Sequence, residues 1–373
     1  MYNEIVRIIE AGMALDTKKV QSYAKLLAEN LQKSGDIGFA DKISRILSDR
    51  RQSLATLDSL GAKPVDGESR LDIVDVSYPT CVEDDYVFGD DVEKMIASMI
   101  ASYARREELL RAGVGNYNTL LLYGPPGCGK TSAANLIASR MGLPLVTARL
   151  DTLVSSLLGS TAKNIRKVFE FASRKRCVLF LDEFDAIAKM RDDRNELGEL
   201  KRVVNGLLQE IDMFSPESVL VAATNHHKML DPAVWRRFGL VFKVGLPDEE
   251  QTIRLFLRLV EGRNGEGLSS KKHISYLKSE FKGCSHSAIT TIVRNAIKES
   301  VLSGHTSLDY VDVLKAIYIY KNHSISNEDE FVAYLLTNGV TTRKLFTDLG
   351  YKTRRVREIS KDLNNEKHPN QAC

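Results

Sequence analysis

A glycine-rich segment at residues 124–131, Gly-Pro-Pro-Gly-Cys-Gly-Lys-Thr, follows an apolar run at 119–123 and precedes a helical pattern at 132–141. The glycines allow successive backbone amides to turn toward one anion, and a helix that begins there adds the positive end of its dipole. The Lys130 ammonium can reach the outer phosphates of a nucleotide, and the Thr131 hydroxyl can reach a Mg²⁺ ion bound to them. The segment therefore predicts a phosphate-binding loop for a nucleoside triphosphate. Its candidate binding residues are Gly124, Pro125, Pro126, Gly127, Cys128, Gly129, Lys130, Thr131 and Ser132.

Two carboxylates follow a second apolar run. Residues 177–181 read Cys-Val-Leu-Phe-Leu, and Asp182 and Glu183 come next. Because neighbouring residues of a strand point to opposite faces, the two acids are expected to serve different partners. Asp182 suits the coordination shell of the Mg²⁺ ion, and Glu183 suits activation of the water that attacks the γ-phosphate. A solvated strand end is the alternative interpretation of this pair.

A polar pair also ends a third apolar run. Residues 219–223 are apolar, and Thr224 and Asn225 follow them. The Asn225 amide could hold the attacking water between the γ-phosphate and Glu183. Asparagine also caps turns, and from this position alone the capping role is the simpler interpretation.

Two adjacent arginines end a fourth motif. Asp231 is a favourable helix N-cap, Pro232 suits the first helical position, and Arg236, Arg237 and Phe238 follow shortly after. Arginines at the end of a short helix are an ordinary surface feature when nothing else accompanies them. Their possible catalytic role therefore depends on the three preceding motifs.

Taken together, the four motifs resemble those of the AAA family of ATPases over roughly residues 80–320. The resemblance implies ATP as the nucleotide and Mg²⁺ as its metal, with Thr131 and Asp182 as the protein's metal ligands. It also implies that Arg236 and Arg237 are arginine fingers, which reach the γ-phosphate of a neighbouring subunit. Such a chain associates with itself, and the family's rings are hexamers. The residues that carry the resemblance are Asp182-Glu183, Ala-Ala-Thr-Asn at 222–225, Asp-Pro-Ala at 231–233 and Arg-Arg-Phe at 236–238.

Within that family, the Arg-Arg-Phe form is most similar to the severing and endosomal-sorting branch that includes spastin and katanin. The whole chain also looks like bacterial AAA ATPases that are encoded beside a subtilisin-like serine protease. That second likeness implies a protein partner, namely such a protease, which the ATPase would control or supply with substrate.

The chain departs from the family pattern at three places. Residues 283–288 resemble the turn at which the family's lid helix begins, but His286 and Ser287 replace a Gly-Ala pair. Residues 86–89 stand where the family's Asp-Ile-Gly-Gly element would lie. In the segment that matches the family's central-pore loop, Leu157 takes the aromatic position and Ser156 the basic one. Leucine lacks a flat ring, so the segment leaves open whether the chain threads a polypeptide.

The elements that must position these motifs alternate between short apolar strands and helices. Strands are predicted at 119–123, 144–149, 177–182, 218–223 and 240–244, with helices at 130–141, 162–174 and 199–212. The predicted fold is α/β: a P-loop core with a five-stranded parallel sheet and helices on both faces, a helical lid, and small all-α N-terminal and C-terminal domains. The predicted boundaries are 1–60 for the N-terminal domain, 61–80 for a linker, 81–246 for the large ATPase subdomain, 247–322 for the lid and 323–373 for the tail.

Composition limits the class of protein. The 373 residues are 43% hydrophobic, and 52 basic against 49 acidic side chains leave a net charge of +3. This balance neither demands nor excludes a nucleic-acid partner. Five widely spaced cysteines match neither a disulfide framework nor a zinc site, and no signal peptide or membrane span is apparent. A cytoplasmic protein with no membrane association is predicted.

The C-terminal tail carries a local excess of positive charge. Residues 341–361 hold seven basic and two acidic side chains, a net of +5. Gly350 and Val356 match a helix-turn-helix pattern, in which Arg354, Arg355 and Arg357 would face DNA. A small helical unit that docks on a protein is the alternative, since charge runs are usually solvated faces.

Two functions follow from the sequence. The leading prediction is Mg²⁺-dependent ATP hydrolysis by an oligomeric ring that remodels a protein partner or complex. The alternative is an ATP-dependent assembly switch or DNA-binding regulator that acts through the basic tail. A GTPase is disfavoured, because no Asn-Lys-x-Asp element follows the phosphate loop.

Overall fold

The computed structural model describes residues 5–7, 17–33, 38, 40, 43, 63–66, 72–80, 86–115, 117–150, 158–174, 176–186, 197–263, 265, 268–347 and 349–367. The predicted pore-loop positions Ser156 and Leu157 lie outside the described residues, as does most of the predicted N-terminal domain. Within that domain, helix α1 (Thr17–Lys33) places Leu27 and Leu31 in a small cluster with Ala40.

A mixed sheet lies at the centre of the described chain. Its strands are β1 (Asp75–Ser77), β2 (Thr119–Tyr123), β3 (Leu145–Arg149), β4 (Val178–Asp182), β5 (Val219–Thr224) and β6 (Leu240–Lys243). Their spatial order is β1-β3-β4-β5-β2-β6. The last five are parallel to their neighbours, which confirms the predicted α/β fold with its parallel sheet.

The short strand β1 adds an antiparallel edge. It pairs with β3, with Val76 opposite Val146, and it lies inside the segment predicted as a linker. A side chain of that segment is also anchored, since Asn164 Nδ2 donates a hydrogen bond of 2.7 Å to Asp66 Oδ1. Residues 63–66 and 72–80 therefore pack against the large subdomain, and Val74 belongs to its hydrophobic core.

Further helices follow α1 along the chain. They are α2 (Asp90–Ala104), α3 (Arg106–Arg111), α4 (Lys130–Met141), α5 (Leu158–Ser173), α6 (Leu197–Asp212), α7 (Pro232–Trp235), α8 (Glu249–Leu259), α9 (Lys271–Glu280), α10 (His286–Leu302), α11 (Tyr310–Asn322), α12 (Glu328–Thr337), α13 (Thr342–Thr347) and α14 (Thr353–Lys367).

Helices cover both faces of the sheet, because successive side chains of each strand alternate between the faces. Leu121 packs with Val168 of α5 and Leu207 of α6 in one hydrophobic cluster. Its neighbour Leu120 packs with residues of α2 and α4, including Ile137, in another. Strands buried on both sides are nearly continuous runs of apolar residues, as β2, β4 and β5 are.

The topology brings the chemical motifs together. Parallel strands end at the same edge of a sheet, and β4, β5 and β2 are consecutive neighbours in it. The phosphate loop follows β2, the two carboxylates lie at the end of β4, and Asn225 follows β5. All three motifs therefore meet at one edge.

The lid and the C-terminal helices share one hydrophobic core. Phe256 of α8 and Leu314 of α11 belong to the same cluster as Leu335 of α12 and Val356 of α14. Tyr310 is buried in this cluster, and its hydroxyl donates to the Asn338 carbonyl at 3.0 Å. The described part of the predicted tail is thus continuous with the predicted lid. Of the helices in the described ranges, none has both the length and the apolarity that a membrane crossing requires.

Candidate active site

The phosphate loop depends on two close backbone approaches. Gly124 has φ 149°, and a Cβ atom there would lie 2.0 Å from the Val244 carbonyl oxygen. Gly127 has φ 72°, and a Cβ atom there would lie 2.8 Å from Ser285 Oγ and from Ser287 Cβ. Neither position accepts a side chain without displacement of its neighbours.

Lys130 lies under the loop and is almost fully buried, with 7% of its surface exposed. Its Nζ donates to the Gly124 carbonyl at 2.9 Å and to the Pro125 carbonyl at 2.8 Å. Burial lowers the pKa of the ammonium, although nearby acidic groups, including Asp182, act in the opposite direction. The lysine is therefore held inside the loop by carbonyl groups that a phosphate could replace as its partners.

Some residues of the loop line a cleft, and the others do not. Among the loop's residues, those that line the cleft are Pro126, Gly127, Gly129, Lys130, Thr131 and Ser132. Gly124 and Pro125 contact Lys130 through their carbonyl groups, which accept its hydrogen bonds. Cys128 is fully buried and lines a second cavity, and burial raises the pKa of its thiol. The sequence predicts all nine residues as one binding set, and Cys128 is among the residues that line the second cavity.

The two predicted metal ligands lie side by side. Thr131 Oγ1 donates to Asp182 Oδ2 at 3.4 Å, and both residues line the cleft. A hydroxyl and one carboxylate fit Mg²⁺, which is usually held by one or two carboxylates together with phosphate oxygens and water. Within the described residues there is no group of three or more His, Cys, Asp or Glu that could form a protein-only metal site.

Glu183 has an unusual backbone conformation at the end of β4. The sequence predicts opposite faces for Asp182 and Glu183, and both residues line the cleft. β4 ends at Asp182, and Glu183 takes a left-handed φ of 53°, which is uncommon for a residue with a side chain. The Glu183 amide donates to Asp182 Oδ1 at 2.9 Å, and the next amide, of Phe184, donates to the Ala223 carbonyl at 2.9 Å. These bonds hold the strained backbone of Glu183 at the edge of the cleft that Asp182 and Glu183 both line.

Asn225 lines the same cleft, beside a buried acid that the sequence analysis did not assign. Asp185 is fully buried, and its Oδ1 accepts hydrogen bonds from Thr224 Oγ1 at 3.0 Å and from the Asn225 amide at 3.3 Å. The Asn225 Oδ1 atom is buried and accepts no hydrogen bond from the described residues. Asp185 therefore joins the ends of β4 and β5, and it holds the backbone from which the Asn225 side chain projects. Its signal in the sequence is a third acid, two residues after Glu183.

The two arginines lie outside the cleft of their own chain, since neither lines it. Helix α7, which ends just before them, begins with an Asp231 cap, whose Oδ1 accepts from the Ala233 amide at 2.8 Å. Arg236 is exposed. Arg237 is half-buried, donates to the Ala233 carbonyl at 2.8 Å, and places its Nε 3.4 Å from Asp212 Oδ2 of α6. The structure thus separates these cations from Lys130, Asp182, Glu183 and Asn225.

The cleft has a volume of about 670 Å³, which suits a nucleotide, and the lid closes one side of it. Two hydrogen bonds cross from the lid. The Ser287 amide donates to the Gly127 carbonyl at 3.0 Å, and an Arg254 nitrogen donates to the Phe88 carbonyl at 2.7 Å. The cleft continues past the phosphate loop along an aromatic and apolar wall, which includes Tyr86, Val87, Phe88, Leu255 and Leu259.

The predicted DNA-facing arginines are partly paired within the chain. Arg355 forms ion pairs with Asp329 of α12 and with Glu358. Arg354 Nε lies 3.1 Å from Glu358 Oε1. Helices α13 and α14 flank Gly350, which has φ 70°, and Val356 is buried as the helix-turn-helix pattern requires. The helical hairpin is therefore present, but two of the three arginines already have acidic partners.

Comparison with known proteins agrees with this arrangement. The sequence model of the "ATPase family associated with various cellular activities (AAA)" matches residues 120–246. An AAA family ATPase of Sinorhizobium fredii is 38% identical over 250 residues, which are 67% of this chain and 74% of that protein.

Two further relatives are matched over smaller shares of their own length. A proteasome-activating nucleotidase of Methanopyrus kandleri is 31% identical over 72% of this chain and 62% of its own length. An ATP-dependent zinc metalloprotease FtsH of Acidothermus cellulolyticus is 29% identical over 68% of this chain and 39% of its own length.

Proposed function

Because the chain belongs to the AAA family of ATPases, we propose that it hydrolyses ATP as an oligomeric ring whose active sites are each completed by the neighbouring subunit. The observation that carries this proposal is the position of the arginines. The groups suited to bind and hydrolyse ATP line one cleft, while Arg236 and Arg237 lie outside it in the same chain.

Within one chain, each cleft residue has a role that its position supports. Lys130 would exchange its carbonyl partners for the outer phosphates, and Thr131 and Asp182 would hold Mg²⁺. An Mg²⁺ ion held by these two residues would supply positive charge that offsets the charge of the phosphates. Glu183 would accept a proton from the attacking water, and the buried oxygen of Asn225 would orient that water.

Positive charge on the γ-phosphate would come from the next subunit. Arginine fingers supplied in trans contribute on the order of 10³–10⁵ in rate in other nucleotide hydrolases, so a separated chain should be nearly inactive. A head-to-tail contact of this kind closes into a ring when its rotation permits, and a hexamer is the ring size that the family resemblance implies. The Arg-Arg-Phe sequence supports placing the chain near the spastin and katanin branch.

The work done by the ring is proposed to be remodelling of a protein partner. Two relatives are named for a link to proteolysis: one is a proteasome-activating nucleotidase, and the other is an ATP-dependent protease. This supports a protease or its substrate as the partner class, and a subtilisin-like serine protease is the specific candidate that the sequence resemblance implies.

A DNA-dependent switch that acts through residues 341–361 is the second candidate. The helical hairpin around Gly350 supports it, as do the exposed Arg357 and Lys352. The ion pairs of Arg354 and Arg355 weaken it, because DNA would have to replace Glu358 and Asp329 as partners.

One titration separates the candidates. The ATPase rate per chain is measured across a range of protein concentrations, with and without duplex DNA. A rate per chain that rises with concentration supports the ring. A rate that is constant down to dilutions at which the chain is monomeric would contradict it, and stimulation only with DNA would favour the second candidate.

A further inference from the structure

His286, the first residue of the lid helix α10, is held close to the phosphate loop. The Ser285 side chain caps this helix, and its Oγ accepts from the Ala288 amide at 3.3 Å. The next residue, Ser287, donates its amide to the Gly127 carbonyl at 3.0 Å. Because Gly127 belongs to the predicted phosphate loop, this bond places the start of α10 beside that loop.

The imidazole of His286 lies in the cleft wall with both ring nitrogens buried. Neither nitrogen meets hydrogen-bond geometry with any of the described residues. A buried polar atom without a partner is costly, and in native proteins such atoms usually have a function or a ligand to satisfy them.

Burial favours the neutral form of the His286 ring. Burial lowers the pKa of His286, and the Val87 backbone only partly opposes this effect. A neutral imidazole carries one N–H donor and one acceptor nitrogen. It can therefore recognise a ligand that presents an acceptor or a donor at the edge of a ring, and it adds no charge to the site.

The neighbours of His286 suit the flat faces of such a ring. Val87 and Phe88 are buried, and Phe88 forms a ring pair with Tyr86 at a centroid distance of 5.8 Å. All three line the cleft together with His286. Apolar and aromatic surfaces of this kind bind nucleobases, whereas phosphates require the amides and cations of the loop.

We propose that His286 is a specificity-determining residue that hydrogen-bonds an edge of the adenine base of the bound nucleotide. Adenine presents a donor, its 6-amino group, next to the N7 acceptor, whereas guanine presents two acceptors at the corresponding edge. A neutral histidine can accept a hydrogen bond from the 6-amino group or donate one to N7. The inference rests on the proposed ATP site, but it concerns recognition of the base alone.

The test is a double-mutant cycle between protein and ligand. Dissociation constants are measured by calorimetry for ADP, 7-deaza-ADP, the diphosphate of purine riboside, which lacks the 6-amino group, and 2′-deoxy-ADP. ADP is used because it is not hydrolysed. Each ligand is titrated into the wild-type chain, His286→Phe, which keeps a ring without nitrogens, and His286→Gln, which keeps a donor and an acceptor.

Two of the ligands, 7-deaza-ADP and the diphosphate of purine riboside, are altered at the edge of the base. We expect the wild-type chain to bind at least one of them about three- to tenfold more weakly than ADP. His286→Phe should bind ADP and that analogue equally, and His286→Gln should restore part of the difference. The inference would be overturned if His286→Phe still bound that analogue more weakly than ADP by the wild-type factor. It would also be overturned if the substitution changed only the difference in affinity between ADP and 2′-deoxy-ADP. If wild-type protein fails to bind ADP at all, the proposed nucleotide site fails instead, so the two failures are distinguishable.

Discussion

Arg237 and Asp212 form an ion pair within one chain, with Arg237 Nε 3.4 Å from Asp212 Oδ2. The same guanidinium donates to the Ala233 carbonyl, so it is turned back onto its own subunit. Arg236, by contrast, is exposed. If both arginines act across a subunit interface, Arg237 must leave Asp212, and Arg236 is the one already free to reach outward.

Asp212→Asn should therefore release Arg237. Partly exposed ion pairs contribute about 0–1 kcal/mol, so the turnover number in assembled rings should rise by up to about fivefold. Steady-state ATPase assays at saturating protein concentration measure this change. In an Arg237→Ala background, Asp212→Asn should have no effect on the turnover number. If Asp212→Asn alone lowered the turnover number of assembled rings, Asp212 would not be restraining Arg237.

Lys130→Ala should abolish nucleotide binding. The variant removes the one ammonium that the loop encloses, and the affinity for ATP, measured by calorimetry, should fall below detection. Lys243→Ala, at the exposed end of β6, is the matched control and should bind as the wild type does. Undiminished affinity in Lys130→Ala would refute the assignment of the loop.

Glu183→Gln should bind ATP without hydrolysing it. Loss of a general base reduces rate by about 10²–10⁴, and a bound triphosphate that persists should hold the ring together. Sedimentation in ATP should show an assembled species, whereas the exposed Glu217→Gln should behave as the wild type does. Hydrolysis at the wild-type rate would show that Glu183 does not activate the water.

Asp185→Asn should reduce the turnover number and leave nucleotide affinity unchanged. Asp185 acts through Thr224 and the Asn225 backbone, and a small misplacement of the water-holding side chain can cost about 10²-fold. Thr224→Val should also lower the turnover number, whereas Thr224→Ser, which keeps the hydroxyl, should lower it less. The effects of Asp185→Asn and Asn225→Ala should be less than additive. Full additivity, or an equal loss of affinity, would indicate a general structural role instead.

Local patterns were sufficient to predict the five parallel strands, and they predict that the motifs meet at one edge of the sheet. The motifs at 124–131, 182–183 and 225 each follow an apolar strand, and parallel strands must end at one edge. Strand β1 was not predictable in this way, because Asp75–Ser77 is short and its pairing with β3 depends on tertiary contact.

Other features depend on the three-dimensional arrangement. The left-handed backbone of Glu183 arises where β4 ends, and it overrides the alternation expected of a strand. The buried contacts of Asp185, and the core that Leu335 and Val356 share with the lid, join residues that are distant in sequence. His286 was visible in the sequence as a departure from the family pattern, but its unpartnered nitrogens required coordinates.

Subunit complementation tests the composite active site most directly. Arg237→Ala should bind ATP but hydrolyse almost none, and Lys130→Ala should neither bind nor hydrolyse. When the two inactive proteins are mixed, an Arg237→Ala subunit can receive the intact arginines of a Lys130→Ala neighbour, so the mixture should recover a measurable part of wild-type ATPase activity. If the ATPase rate of the mixture stays at the sum of its two inactive components while mixed oligomers form, the arginines do not act between subunits.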